Sequence, residues 1–288
     1  MKLRVLIAVY LLSLLAFNAK AQRTSNVNGV VRDTIAHQLL DNAKYRVFYS
    51  LSFSEDTTFT DLKTECQTIL LVGDKYSSFL DYNSLKKDSI YNSLIKSGQA
   101  ATSVIGQTLA IGRLIKFKSI IIKNYPSKND FTLQEMITSR DNYRYTDNDI
   151  KIKWQLSSDE QQIGKYKCKK ATCTYRGRNY IAWYSPDILL SDGPYVFTGL
   201  PGLILKLYDD KEHYTFSLNG LEQAKGYNPI YLPSDNVVNS TRKEVRQIIS
   251  NLKANPASIL QMMGDRAKVS EDVIKKVQPK PYNPIELE

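Results

Sequence analysis

From Tyr45 to Phe53 large apolar residues alternate with small or polar ones, so that Tyr45, Val47, Tyr49, Leu51 and Phe53 fall on one face of a half-buried strand. Strands are also predicted at Gln67–Val72, at Tyr76–Tyr82 after the turn residues Gly73-Asp74, at Phe117–Tyr125, at Tyr143–Leu156, at Leu203–Tyr208 and at Tyr214–Leu218. The longest extended stretch is Gly164–Tyr184, bent into a hairpin at Gly177. Helical spacing enters at residues 84–97, where Leu85, Ile90, Leu94 and Ile95 recur closer to 3.6 than to 2. Thr132-x-x-Glu135 is a capping box and predicts a short helical turn over 132–139. A second box, Thr241-x-x-Glu244, opens a helix whose Val245, Ile248, Ile249 and Leu252 form one apolar stripe. Asn255-Pro256 stops it, and Pro256 begins a further short helix through Met263, ended by Gly264.

These elements predict a mainly β fold of the α+β kind: an antiparallel, strongly curved sheet or incomplete barrel, with the helices at 84–97 and 241–263 against its concave side or open end. No repeat or low-complexity linker divides the chain, so a single β-rich domain is expected over 45–270. A loose polar lead-in at 22–44 precedes it. The tail, 271–288, carries Pro279, Pro281 and Pro284 and is expected to be extended and loosely held.

The first residues change the picture of where the chain works. Lys2 and Arg4 precede an apolar run, Val5–Phe17, and Ala19-Lys20-Ala21 fits a small-residue cleavage site, so residues 1–21 read as a signal peptide cut after Ala21. The run is shorter than the roughly 20 residues a bilayer crossing needs, and Gln22 is not a lipid-accepting cysteine. The expected location is the periplasm or the cell surface, with no integral membrane segment. Removing 21 of 288 residues leaves 267, ample for a core, and lowers the formal charge from +10 to +7 through loss of Lys2, Arg4 and Lys20. The basic clusters are Lys165-Lys167-Lys169-Lys170 and Arg176-Arg178. For an exported chain they fit solvated strand faces or an anionic lipid or polysaccharide surface, and nucleic acid is not an expected partner. Cys66, Cys168 and Cys173 are candidates for a disulfide in an oxidising compartment. Cys168 and Cys173, five apart in one strand, cannot bond within it, which leaves Cys66 with either partner or no bridge.

Residues 193–208 read GPYVFTGLPGLILKLY. Gly199-Leu200-Pro201-Gly202-Leu203-Ile204 spells the signature for which the GLPGLI family is named, and neighbouring elements agree. Ile163–Ala171 resembles that family's GYxCxKA element, Arg176-Gly177-Arg178 followed by Ala182-Trp183-Tyr184 its GRxxxAWY element, and Asp192-Gly193-Pro194 its DGP lead-in. Trp154, Gly73, Ser77 and Phe79 also sit where family members carry the same types. The resemblance, to the Porph_ging type of exported Bacteroidota proteins of unknown function, runs over residues 45–220; Cys66 and Cys173 lie outside its pattern. It implies export. It also implies an accessory role in envelope transport, since such genes often lie near those of TonB-dependent outer-membrane receptors, which makes such a receptor the expected partner.

Physical chemistry gives the signature a structural role. In Leu200-Pro201-Gly202-Leu203, Pro fixes φ and Gly accepts φ > 0, the pattern of a type II turn, and Leu200, Leu203, Ile204 and Leu205 would pin that corner into the core. The alternative, an apolar corner lining a groove, requires an exposed apolar patch. Trp183 and Tyr184, with Tyr166, Tyr175, Tyr180 and Tyr195, gather near Arg176 and Arg178, a composition suited to gripping sugar, lipid or peptide. Arg176, Arg178, Trp183 and Tyr184 are therefore the candidate ligand-binding residues, although cross-strand packing accounts for the same pattern.

Catalytic chemistry finds little to stand on. The chain has two histidines, His37 and His213, neither in a triad or elbow context, and no Gly-rich phosphate loop. Asp209-Asp210-Lys211-Glu212 before His213 is expected to be a solvated turn, and Cys168-x4-Cys173 has no second pair for zinc. The expectation is a non-enzymatic envelope accessory or binding protein without cofactor or metal. The alternatives are a LolA-like half-barrel carrying a hydrophobic ligand, lipid or peptide in nature, and a metal-handling protein.

Overall fold

Fourteen strands and three helices form among the residues that the computed structural model describes, 34–137, 142–257, 279 and 281–288. Ten of the strands are hydrogen-bonded to a neighbour on both sides: β2 (Tyr45–Phe53), β3 (Thr64–Val72), β4 (Ser77–Asp81), β5 (Ser119–Lys123), β6 (Phe131–Met136), β7 (Asn142–Asp147), β9 (Tyr166–Tyr175), β10 (Arg178–Ser185), β11 (Leu203–Asp209) and β12 (Tyr214–Gln223). With β8 (Gln155–Ile163) and β14 (Val237–Asn239) they make one twelve-stranded sheet, ordered β14-β7-β6-β5-β4-β3-β2-β12-β11-β10-β9-β8. Every pairing is antiparallel except β14 with β7, and β14 and β8 are its unclosed edges. β1 (His37–Asn42) and β13 (Pro229–Pro233) pair as a separate ribbon.

The alternation in β2 reads out as expected: Val47, Tyr49, Leu51 and Phe53 are buried in the main core. That core draws on strands from both halves of the sheet, including Phe79, Ile121, Leu133 and Tyr145 on one side and Tyr180, Leu205, Leu207 and Phe216 on the other. A smaller cluster lies on the opposite face, where Ile69, Leu71, Leu80 and Ile122 meet Ile230 and Leu232 of the ribbon. Helix α1 (Tyr82–Lys96) covers the range expected near 84–97, capped by the Asp81 carboxylate, which accepts from Asn83 N at 2.8 Å. Helix α2 is Ala101–Gly112, and α3 is Arg242–Ala254 with the capping box of Thr241 and Glu244 fully formed.

Several expectations are corrected. Thr132 and Glu135 do not cap a helix; they lie inside β6, because Phe131–Met136 is zipped to both β5 and β7 and a two-sided ladder outweighs a local cap. The stretch 143–156 is two strands rather than one. Asp147 accepts from Asp149 N at 3.0 Å, a side-chain turn that ends β7 and lets residues 148–154 cross to β8 at the far edge of the sheet. The described part of the lead-in is not loose, because β1, from His37, finds its partner in β13. The tail is extended but not loose: Asn283, Ile285 and Glu286 are buried. Asp209 is buried too, so the 209–212 turn is only partly solvated. The expected signal peptide, most of the expected helix from Pro256 to Met263 and the 138–139 end of the expected turn lie outside the described residues.

The Gly199–Ile204 signature forms the predicted corner, with Leu200, Leu203, Ile204 and Leu205 buried. Its turn is tighter than type II: Gly202 N donates to Leu200 O at 2.8 Å across Pro201, and Leu203 N turns away to Ile188 O at 3.2 Å. Gly202 is required on two counts, a φ of 146° and a backbone so close that an added Cβ would stand 2.1 Å from the Ser185 carbonyl oxygen. Gly199, at φ 90°, has open space around it. Gly202→Ala is therefore expected to cost about 3 kcal/mol or more and Gly199→Ala only about 1 kcal/mol, checked by denaturant unfolding of the two variants side by side.

Candidate binding site

The amphipathic stripe of α3 does not close onto a filled core. Val245 is buried, but Ile249 and Leu252 are only partly covered, because they border a cavity of about 650 Å³. The cavity lies between the helix and the ends of β2, β5, β6 and β12, with apolar walls that include Phe53, Ile115, Phe117, Ile137, Ile249 and Leu252. Arg113, Lys116, Lys118 and Lys253 line it as cations with Glu55 beside Lys253 at 3.6 Å, and Glu135 and Arg246 are its more deeply placed charges.

The electrostatics of the deep charges follow from burial. Glu135 is 8% exposed and accepts from the Ser119 hydroxyl at 2.6 Å. Burial pushes its carboxyl above the ordinary range, and Arg246 and Ser119 only partly restore it. Arg246 Nη2 stands 2.8 Å from Glu286, an ion pair outside hydrogen-bonding angles; its Nε and Nη2 make no hydrogen bond among the described residues. Burial likewise lowers the Lys118 ammonium, helped by Lys253 and opposed by Glu55.

One wall of the cavity is the C-terminal segment, through Tyr282, Asn283 and Ile285. It is threaded past the aromatic strands and held by side-chain and backbone hydrogen bonds from Asn283 to Glu286. Arg178 donates to Asn283 Oδ1 at 2.5 Å and to Pro284 O at 2.6 Å, and pairs with Asp209 at 2.9 Å. Tyr214 donates to Asn283 O at 2.6 Å and Tyr180 to Ile285 O at 2.9 Å. Glu286 accepts from the hydroxyls of Tyr195 at 2.5 Å and Tyr175 at 3.2 Å and pairs with Arg242 at 2.5 Å.

The four candidate residues of the sequence do not converge. Arg178 is buried and spent on Asp209 and the tail; Arg176 sits in the hairpin turn at φ 45° and pairs with Asp147 at 3.0 Å. Tyr184 is buried, whereas Trp183, its neighbour on the strand, stays half-exposed beside Lys170. His213 lies 3.3 Å from Arg178; burial, opposed by Asp209 and reinforced by Arg178, holds its imidazole below the ordinary range. Cys66, Cys168 and Cys173 are free, so no bridge joins them, and burial pushes the thiols of Cys66 and Cys173 up to about 12 and that of Cys168 to about 11. Among the described residues no group of three His, Cys, Asp or Glu is placed to hold a metal ion. The cavity residues escaped the sequence because they come from six separate segments between Phe53 and Ile285. The available signal was the α3 stripe itself.

A family model, Porph_ging, described as a protein of unknown function, matches residues 175–206, from the end of β9 into β11. No curated protein matches. Among solved structures, PNGF-II is similar in its P21 and C2 crystal forms, with a TM-score of 0.48 and 15% identity in each, over 72% and 71% of this chain. The chain spans about a third of that protein, 33% and 32% of its length. An uncharacterized conserved protein from Thermus thermophilus is similar at a TM-score of 0.32 and 7% identity, over 68% of this chain and 90% of its own.

The Glu286 cluster makes a pH-dependent prediction. Burial alone would raise this carboxyl, but Arg246, the Tyr195 hydroxyl and Arg242 outweigh it and hold it below its ordinary value of 4.5. A carboxyl lowered on folding stabilises fully above its unfolded value and loses that contribution as pH falls through the folded one. Glu286→Gln is therefore expected to cost about 3 kcal/mol at neutral pH, with the gap to the parent chain narrowing below about pH 4. Denaturant unfolding across a pH series checks this, and a gap unchanged in acid contradicts it.

Proposed function

We propose that this chain, whose residues 175–206 match the Porph_ging family, is an exported, non-enzymatic binding protein of the cell envelope that holds an amphiphilic ligand, an apolar chain with an anionic head, in the cavity beside α3. The observation that carries this reading is the cavity itself. Its volume of about 650 Å³ falls in the range of small-molecule sites, its walls are largely apolar, and five cations, Arg113, Lys116, Lys118, Arg246 and Lys253, line it against two acids, Glu55 and Glu135. Export rests on residues 1–21, and service beside a TonB-dependent outer-membrane receptor is the setting that the motif resemblance implies.

We read the sheet as a strongly curved, incomplete barrel around this ligand site. Arg176, in the β9–β10 turn, pairs with Asp147 at the end of β7 at 3.0 Å. β7 and β10 stand eight positions apart in the sheet, and a flat sheet would separate them by roughly 38 Å at about 4.8 Å per strand. Side-chain contact across that span supports curling.

The test is titration of the purified full chain with a fluorescent fatty acid. Saturable binding at one site is expected, weakened about tenfold or more by Leu252→Asp, which places a charge on the apolar wall. Absence of saturable binding, or binding indifferent to Leu252→Asp, would refute the reading.

A further inference from the structure

Helix α2 is exposed in a way its composition does not favour. Ala101–Gly112 contains no charged residue, yet only Ala101 and Val104 are buried. Ile105 and Leu109, four residues apart on one face, are 52% and 56% exposed, and Leu114 in the following turn is 55% exposed. Scattered exposed apolar residues are ordinary, but two large ones on one face of a short helix and a third just past its exit stand uncovered among the described residues.

The charges along this part of the chain are mostly cationic. From Tyr82 to Lys118 the cations are Lys86, Lys87, Lys96, Arg113, Lys116 and Lys118, and the single acid, Asp88, is buried, accepts from Tyr231 at 2.9 Å and, among the described residues, pairs only with Lys87 at 3.7 Å. The Lys165–Lys170 cluster is different, because Lys167 pairs with Glu160 and Lys170 with Asp159. An apolar helix face with basic flanks is complementary to an anionic lipid surface. At 12 residues α2 spans about 18 Å and is too short to cross a bilayer, and no described helix is long and apolar enough to do so.

We propose that α2 is a membrane-docking element that lies on an anionic lipid surface, seating Ile105, Leu109 and Leu114 among the acyl chains with Arg113, Lys116 and Lys118 at the headgroups. Gly112, Arg113, Lys116 and Lys118 also line the cavity, so docking brings the cavity mouth to the lipid. That consequence, loading of the ligand from the surface, rests on the amphiphile reading above; the docking does not.

The experiment is co-sedimentation of the full chain with vesicles of phosphatidylcholine alone and of phosphatidylcholine mixed with phosphatidylglycerol. Sedimentation with the mixed vesicles is expected, falling as salt rises. Ile105→Ser with Leu109→Ser, both at exposed positions, should weaken it about tenfold or more while leaving fatty-acid titration unchanged. Leu252→Asp should do the reverse, so loss of ligand binding and loss of docking are told apart. No sedimentation, equal sedimentation with both vesicles, or sedimentation indifferent to the α2 substitutions would overturn the proposal.

Discussion

A lysine ammonium wholly removed from water holds the two halves of this sheet to each other. Lys123, on β5, reaches Asp192 at 2.6 Å, Gly193 O at 2.7 Å and Phe197 O at 3.3 Å, in the loop between β10 and β11. Burial pushes the ammonium down from its ordinary range, and Asp192 pulls it partly back. Asp192 is itself completed by the Ser77 hydroxyl at 2.5 Å and Gly193 N at 2.8 Å. A buried charge is tolerated only when its partners replace the water it lost, so the loop has little freedom to sit anywhere else.

The rest of the signature region follows from that anchor. Ile204 N donates to Asp192 O, Leu203 N to Ile188 O, and the Tyr49 hydroxyl to Ile204 O. The corner is thus laced to both the loop and β2, and Gly202 passes against Ser185 with no room for a side chain. Asp192-Gly193-Pro194 and Gly199–Ile204 both lie within this laced region. The C-terminal segment completes the interior by giving Arg178, Tyr175, Tyr180, Tyr195 and Tyr214 polar partners that the sheet does not provide. What remains open lies beside α3, where the helix stripe and the strand ends leave apolar surface around a cavity.

Local patterning made much of the fold legible. Alternation located β2, the hairpin at Gly177 and β11, and the Thr241 box located the start of α3, because those signals act within a few residues. It misled where a distant partner decided the outcome: Thr132-x-x-Glu135 has the letters of a cap but lies between two strands, and β1 looks featureless until β13 supplies its ladder. Helix α2 was not expected at all, since its apolar residues show no single buried face. Arg176, Arg178, Trp183 and Tyr184 are near in sequence, but strand alternation and the hairpin turn send them to different surroundings.

The chain by itself therefore determined its mainly β character, the hairpin and corner at its glycines, the helix over 242–254 and the family resemblance, all of which depend on short-range geometry and residue type. Only the tertiary structure decided which charges are buried together, that the tail is part of the interior, and that Phe53, Phe117, Ile249 and Leu252 share one cavity. The physical reason is separation along the chain: a strand ladder or buried ion pair joins residues scores of positions apart, and no periodicity within either segment encodes the meeting.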